Sequence, residues 1–301
     1  HVVAGTPDLH AAAIGSGGTR DLDPHLYVGT SSWLSAHVPY MKTDLLHNMA
    51  SIPSAIPGRY LVANEQEAAG ACLLHLRELL ADPGVGGPQA TLPDGQRADA
   101  LPRLLALAAE APPGSDGLIF TPWLVGERTP VEDAWVRGGF HNLTLRTTRA
   151  HLVRAALEGV ALNARWLAEA VDGFVRRRME PIRLIGGGAR SELWCQIYAD
   201  VLDRPVNQVD RPLEANVRGA GLVALVGLGE LGFADVPDLV AIARTFEPTP
   251  AHRRIYDERF AAFKELYRRN RGFYARVNGR AGRAGRASER AARVDGRADL
   301  P

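Results

Sequence analysis

Ile182-Arg183-Leu184-Ile185-Gly186-Gly187-Gly188-Ala189-Arg190-Ser191-Glu192-Leu193-Trp194 is the stretch that decides the fold. Its first four residues form a short apolar run of strand length. Consecutive glycines end that run. Ser191 then opens a helix that reaches about Leu202. Strand, glycine turn and helix in that order give an α/β unit. Consecutive glycines also let backbone N–H groups and a helix start approach a ligand closely. The spacing does not match the dinucleotide fingerprint, and the Gly-Lys-Ser/Thr ending of a phosphate loop is missing. Alone, a ligand-binding turn and a plain tight turn both stay open.

Outward from this unit the same alternation repeats. Upstream, a helix is expected from Thr148 to about Arg177, with Gly159 marking a spot of close packing. Leu118-Ile119-Phe120 reads as a buried strand, residues 101–110 as a short helix and 65–80 as another. Residues 40–60 read as irregular, with a loop from Asp44 to Gly58. Leu26-Tyr27-Val28 is a strand ending in Gly29-Thr30-Ser31-Ser32, and a strand-like pattern resumes from Trp33 to Val38. Downstream, Val206 and Val209 mark a strand, and Ala215 to Gly227 reads as a buried helix. A final helix is expected over 255–275. Tyr256, Phe260, Phe263 and Tyr267 lie on its core face.

Val2-Val3 reads as the end of a buried strand, so the chain reads as cut from something longer. Residues 81–100, rich in Gly, Pro, Asp and Gln, read as a surface insertion. The Arg/Ala/Gly-rich stretch 279–301 has no periodic apolar face and reads as a disordered, solvated tail. One domain over residues 1–278 is therefore expected.

Bulk composition narrows the function classes. In 301 residues, 46% are hydrophobic and 23% charged, an ordinary globular balance. A formal net charge of +1 gives no general attraction to nucleic acid or an anionic membrane. Cys72 and Cys195 sit among apolar neighbours and read as core thiols in a reducing, cytoplasmic compartment, although a disulfide between them stays possible. No membrane span or leader is visible. The histidines lack metal-site spacing, and Ser31 and Ser32 have no identifiable base. Gly29-Thr30-Ser31 could donate amides and hydroxyls to phosphate oxygens, or could simply be a hairpin turn. Asp8 could take a proton from a hydroxyl, or could cap the helix expected over Leu9 to Ile14.

Taken in order, four motifs resemble the C-terminal domain of the FGGY family of carbohydrate kinases. They are Ala4-Gly5-Thr6-Pro7-Asp8 with Ala11 to Gly17; Gly29-Thr30-Ser31; Phe120-Thr121-Pro122-Trp123-Leu124-Val125-Gly126-Glu127-Arg128-Thr129-Pro130; and Ile185 to Ser191 with Trp194, Gln196, Ala199-Asp200 and Pro205. The match runs from about His1 to Phe273 and looks most like the xylulose kinase-type members. The resemblance implies an actin-like, ribonuclease H-like fold, a mixed sheet flanked by helices that forms the nucleotide-binding domain. It implies a missing N-terminal domain, or a separate half, that carries most sugar contacts. It further implies ATP and Mg²⁺ as cofactors and a sugar such as a ketopentose as acceptor, with a homodimer also possible. By the same resemblance Asp8 is the general base, Gly29 and Thr30 lie at the phosphate-contacting turn, Gly70 matches a glycine near the nucleotide, and Gly187, Gly188, Ala189 and Ser191 lie at the adenosine. No metal ligand is assigned. Glu127 and Arg128 fall in a family turn whose implied role is structural, with closing of the cleft as the alternative. A polyol kinase and a non-catalytic nucleotide-binding or protein-interaction fragment of the actin-like superfamily are the alternatives.

Overall fold

A computed structural model describes the main chain of residues 2–80 and 94–295. Along the chain the elements are α1 (Asp8–Gly15), β1 (His25–Val28), β2 (Ser32–Ser35), β3 (His37–Val38), β4 (Thr43–Asp44), β5 (Met49–Pro53), β6 (Tyr60–Ala63), α2 (Gly70–Leu79) and α3 (Asp94–Ala109). They continue with β7 (Ile119–Thr121), β8 (Gly139–His141), α4 (Arg149–Val175), β9 (Ile182–Ile185), α5 (Glu192–Leu202), β10 (Val206–Val209), α6 (Ala215–Gly227), α7 (Val236–Leu239), β11 (Ile242–Phe246) and α8 (Arg253–Asp295).

The central sheet has five strands in the order β11-β10-β9-β1-β2. Its middle three strands, β10, β9 and β1, run parallel, and the two outer strands run antiparallel to them. Parallel strands need cover on both faces, and the side-chain alternation supplies two apolar faces here. Leu26, Val28 and Leu184 point into the larger core, shared with α4 and α5. Tyr27, Ile185 and Val209 point into the smaller core, shared with α1 and α6. The mixed sheet between helices is the expected architecture. A second, four-stranded sheet, β3-β6-β5-β4, continues from β2.

Two crossings bring backbone onto backbone. α1 lies against α6 with Gly15 and Gly219 at the contact, where a side chain on either would run into a carbonyl of the other helix. Gly159 of α4 meets the Phe120 carbonyl in the same way, the close packing expected from a glycine in mid-helix. The aromatic face of α8 is core as expected, with Tyr256 and Phe263 fully buried. The Trp123 and Phe263 ring centroids lie 5.0 Å apart. Both cysteines are buried free thiols, so no disulfide joins them.

Several expectations are corrected. Residues 2–7 form no strand, and Val2 is fully exposed, because no strand among the described residues pairs with it. Residues 40–60 hold strands β4 and β5 and lead into β6. Pro53 ends β5 rather than interrupting it, so the prolines bound a hairpin. β8 and β11 are strands the sequence does not signal, because both are short, β8 is half-buried throughout and β11 is mostly exposed. α3 starts at Asp94, inside the expected insertion, and the rest of that insertion lies outside the described residues. α8 runs to Asp295, so the stretch from Gly279 is helical that far rather than disordered. Alanine and arginine are strong helix formers and extend a helix without an apolar face.

Candidate active site

β1 and β9 are parallel neighbours, with Tyr27 opposite Ile185. The turns that follow them therefore leave the same end of the sheet side by side. Gly186 has φ +90°, and a Cβ on it would lie 2.6 Å from the Val28 carbonyl oxygen, so only glycine lets the turns approach so closely. The Gly186 N–H donates to the Pro212 carbonyl at 2.9 Å and draws in the loop between β10 and α6. Three segments thus gather at the carboxyl ends of three parallel strands, where ligands of open α/β sheets bind.

The first turn is held from below and open above. The Gly29 N–H donates to Ser31 O at 2.9 Å. The Gly29 carbonyl accepts from Gly70 N at 2.8 Å, and the Thr30 carbonyl accepts from Ala69 N at 2.8 Å and Ala71 N at 3.2 Å. The start of α2 is therefore seated on the turn. A Cβ on Gly70 would lie 2.5 Å from Gly29 O. Gly70 thus acts by seating the turn, its own N–H being engaged. Thr30 is exposed. Among the described residues the N–H groups and hydroxyls of Thr30 and Ser31 have no hydrogen-bond partner. Four donors at one tip suit an anion.

In the second turn Gly187 is exposed, whereas Gly188 and Ala189 are buried. Gly188 packs against Val28 and Trp194. The Ala189 carbonyl accepts from Gln208 Nε2 at 2.6 Å. Ser191 caps α5, its Oγ accepting from Trp194 N at 3.2 Å. Gly187 alone of these four is exposed, and Ser191 is half-buried.

Asp8 opens α1 and is exposed, with Oδ1 accepting from Leu9 N at 2.7 Å. This is not the expected cap: the N-cap position of α1 is Pro7 and no side chain caps the helix, while the second Asp8 oxygen has no partner among the described residues. No hydrogen bond joins Asp8 to either glycine turn. Its link runs through α6, where Asn216 Nδ2 reaches the Asp8 carbonyl at 3.5 Å. Arg218 donates to Gly15 O at 2.8 Å and to Asp210 O at 3.0 Å. A cavity of about 550 Å³ flanks the chain before Asp8, lined by Val3, Pro7, His10, Val226 and Phe233 among others. That lining carries no Lys or Arg and does not suit a phosphate.

Residues 26–228 match the family model described as the C-terminal domain of the FGGY family of carbohydrate kinases. The chain belongs to that family. This FGGY domain is 28% identical over 276 residues to a xylulose kinase of Staphylococcus epidermidis, covering 90% of the chain and 51% of that protein. It is 40% identical over 152 residues to a gluconokinase of Bacillus subtilis, covering 49% and 28%. A crystal structure of xylulose kinase from Rhodospirillum rubrum superposes with a TM-score of 0.75 at 34% identity, covering 91% of this chain and 52% of that one. The fold is the actin-like fold of these kinases. The chain spans about half the length of the xylulose kinases it matches. No helix among the described residues is long and apolar enough to cross a membrane.

The FGGY domain also holds a buried carboxylate whose partners the sequence did not reveal. Glu127 is 4% exposed. It accepts from Asn163 Nδ2 at 2.5 Å, Arg128 N at 2.9 Å and Glu67 N at 3.1 Å. Burial raises its pKa to about 7, against the opposing pull of those donors. Trp123 Nε1 donates to Asn163 Oδ1 at 3.2 Å and so fixes which way that amide faces. The charged turn Gly126 to Pro130 flagged by the sequence is thus a structural node.

Proposed function

We propose that this chain is the nucleotide-binding half of an ATP-dependent sugar kinase whose acceptor is a ketopentose such as xylulose. The observation that carries the reading is the pair of glycine turns at neighbouring strand ends, with unpartnered donors on Thr30 and Ser31. In this reading Thr30 and Ser31 hold phosphate oxygens, with Gly29 and Gly70 supporting them. Gly187 and Gly188 border the adenosine, on a turn held by Ala189 and Ser191. Bound ATP supplies the phosphoryl group. Asp8 takes the proton of the sugar hydroxyl as that oxygen attacks the γ-phosphorus, the bond from the γ-phosphorus to the β,γ-bridging oxygen breaks, and ADP leaves. Its exposure leaves it open to a substrate carried by the other half. Phosphoryl transfer asks mainly for positioning and charge neutralisation, and backbone amides at turns provide both. Mg²⁺ is the implied counter-ion of the phosphates. Among the described residues no group of three or more His, Cys, Asp or Glu side chains could hold a metal ion, so Mg²⁺ would be held chiefly by the phosphates.

The ketopentose assignment is supported by relatives over nine-tenths of the chain that are named xylulose kinases. The sugar contacts are proposed to lie on the other half, so this chain alone binds nucleotide weakly and does not turn over sugar. Calorimetry of ATP binding to the chain tests the nucleotide half of the reading, and absence of binding refutes it. Joining the chain to an N-terminal FGGY domain and assaying xylulose, gluconate and glycerol tests the acceptor. Preference for gluconate or glycerol replaces the ketopentose assignment.

A further inference from the structure

We infer that Glu127 is a positioning residue for the phosphate turn, acting through the segment from Glu65 to Gly70. The inference rests on the reading that Gly29-Thr30-Ser31 takes nucleotide phosphates. Glu127 touches no part of that turn. Its Oε1 instead accepts from Glu67 N at 3.1 Å. The neighbouring Gln66 exchanges two backbone hydrogen bonds with Ser32, Gln66 N to Ser32 O at 2.7 Å and Ser32 N to Gln66 O at 3.1 Å. Gln66 Nε2 donates to the Asn163 carbonyl at 2.7 Å, tying it to the residue whose amide holds Glu127. A few residues on, Ala69, Gly70 and Ala71 donate to the carbonyls of Gly29 and Thr30. The turn is thus gripped on one side through Gln66 and on the other through the start of α2. Both grips belong to one segment, and Glu127 anchors it. Arg128 holds the same segment from outside, with ion pairs to Glu65 at 2.5 Å and Glu67 at 2.7 Å.

A buried carboxylate with three donors is a demanding anchor, because each donor loses its partner if the acceptor changes. Glu127→Gln keeps the size and removes one acceptor. Asn163 cannot turn to compensate, since its Oδ1 already accepts from Trp123 Nε1. The new amide nitrogen therefore faces either the Asn163 amide or, if flipped, the N–H groups of Glu67 and Arg128, and in both orientations the anchor of the segment is weakened.

The test separates the two turns. ATP and adenosine are titrated into the chain and into Glu127→Gln by calorimetry, with folding checked by circular dichroism. Glu127→Gln is expected to bind ATP about tenfold more weakly, the size of one lost hydrogen bond to a charged group, while adenosine affinity holds. Equal ATP affinity overturns the inference, and so does equal weakening of both ligands, which marks general loosening. If Glu127→Gln does not fold, Arg128→Met decides, because it removes only the half-exposed outer grip. ATP binding weakened at least about twofold with adenosine unchanged supports the inference; any other pattern overturns it. A wild-type chain that binds neither ligand refutes the proposed nucleotide site itself, a different outcome from either.

Discussion

Replacing His25 with leucine should make the chain resist acid, and the structure sets the size of the gain. His25 opens β1 and is fully buried, and neither ring nitrogen has a partner among the described residues. Burial, with help from the nearby His37 and Arg183, lowers its pKa to about 3 from an ordinary 6.5. Folded, the imidazole stays neutral down to about pH 3. Unfolded, it takes a proton below about 6.5. Between those values the unfolded state binds more protons, so stability falls as the pH is lowered through that window. At pH 5 the difference amounts to about 2 kcal/mol, from a unit and a half at about 1.4 kcal/mol each. His25→Leu has no such loss, and removing two unpartnered nitrogens should leave it no less stable at pH 7. The assay is urea unfolding of both proteins followed by circular dichroism at pH 7 and pH 5. Other titrating groups, Glu127 and His37 included, are common to both proteins and cancel in the difference. A variant-minus-wild-type difference that is the same at both pH values would refute the reasoning.

Ser191→Ala removes the side-chain cap of α5 and should lower unfolding stability by about 1 kcal/mol, read from the urea midpoint. Gly70→Ala sets a methyl against the Gly29 carbonyl, and it should weaken ATP binding in calorimetry while sparing adenosine. Asp8→Asn in the joined two-domain protein should lower kcat by about 10²–10⁴. It should leave the chain's affinity for ATP unchanged, since Asp8 makes no contact with either glycine turn.

Legibility in the sequence followed the range of the interactions. The glycine turns, the helix opening at Ser191 and the aromatic face of α8 are written in neighbouring residues, and each stands where the pattern put it. The β5–β6 hairpin was hidden because Pro53 and Pro57 look like loop signals when they mark the two ends of a turn. β8 and β11 carry too little apolar alternation to stand out, being half-exposed or edge strands. The work of Glu127 was illegible for another reason. Its partners Asn163 and Glu67 lie 36 and 60 residues away, so no local pattern joins them. Division of labour inside a motif was equally hidden. Four residues of the second turn looked alike as ligand contacts, and only packing distinguishes the exposed Gly187 from the other three.

The glycine contact between α1 and α6 constrains how such a half can move. With Gly15 and Gly219 at the crossing there is no layer of side chains between the helices to slide or compress. Arg218 pins the far end of α1 to the loop that also holds Gly186. Asp8 therefore cannot travel without α6, and α6 cannot travel without the second glycine turn. In the proposed reading, the base and the adenosine-side turn therefore belong to one coupled body, and the partner half would bring the acceptor to it.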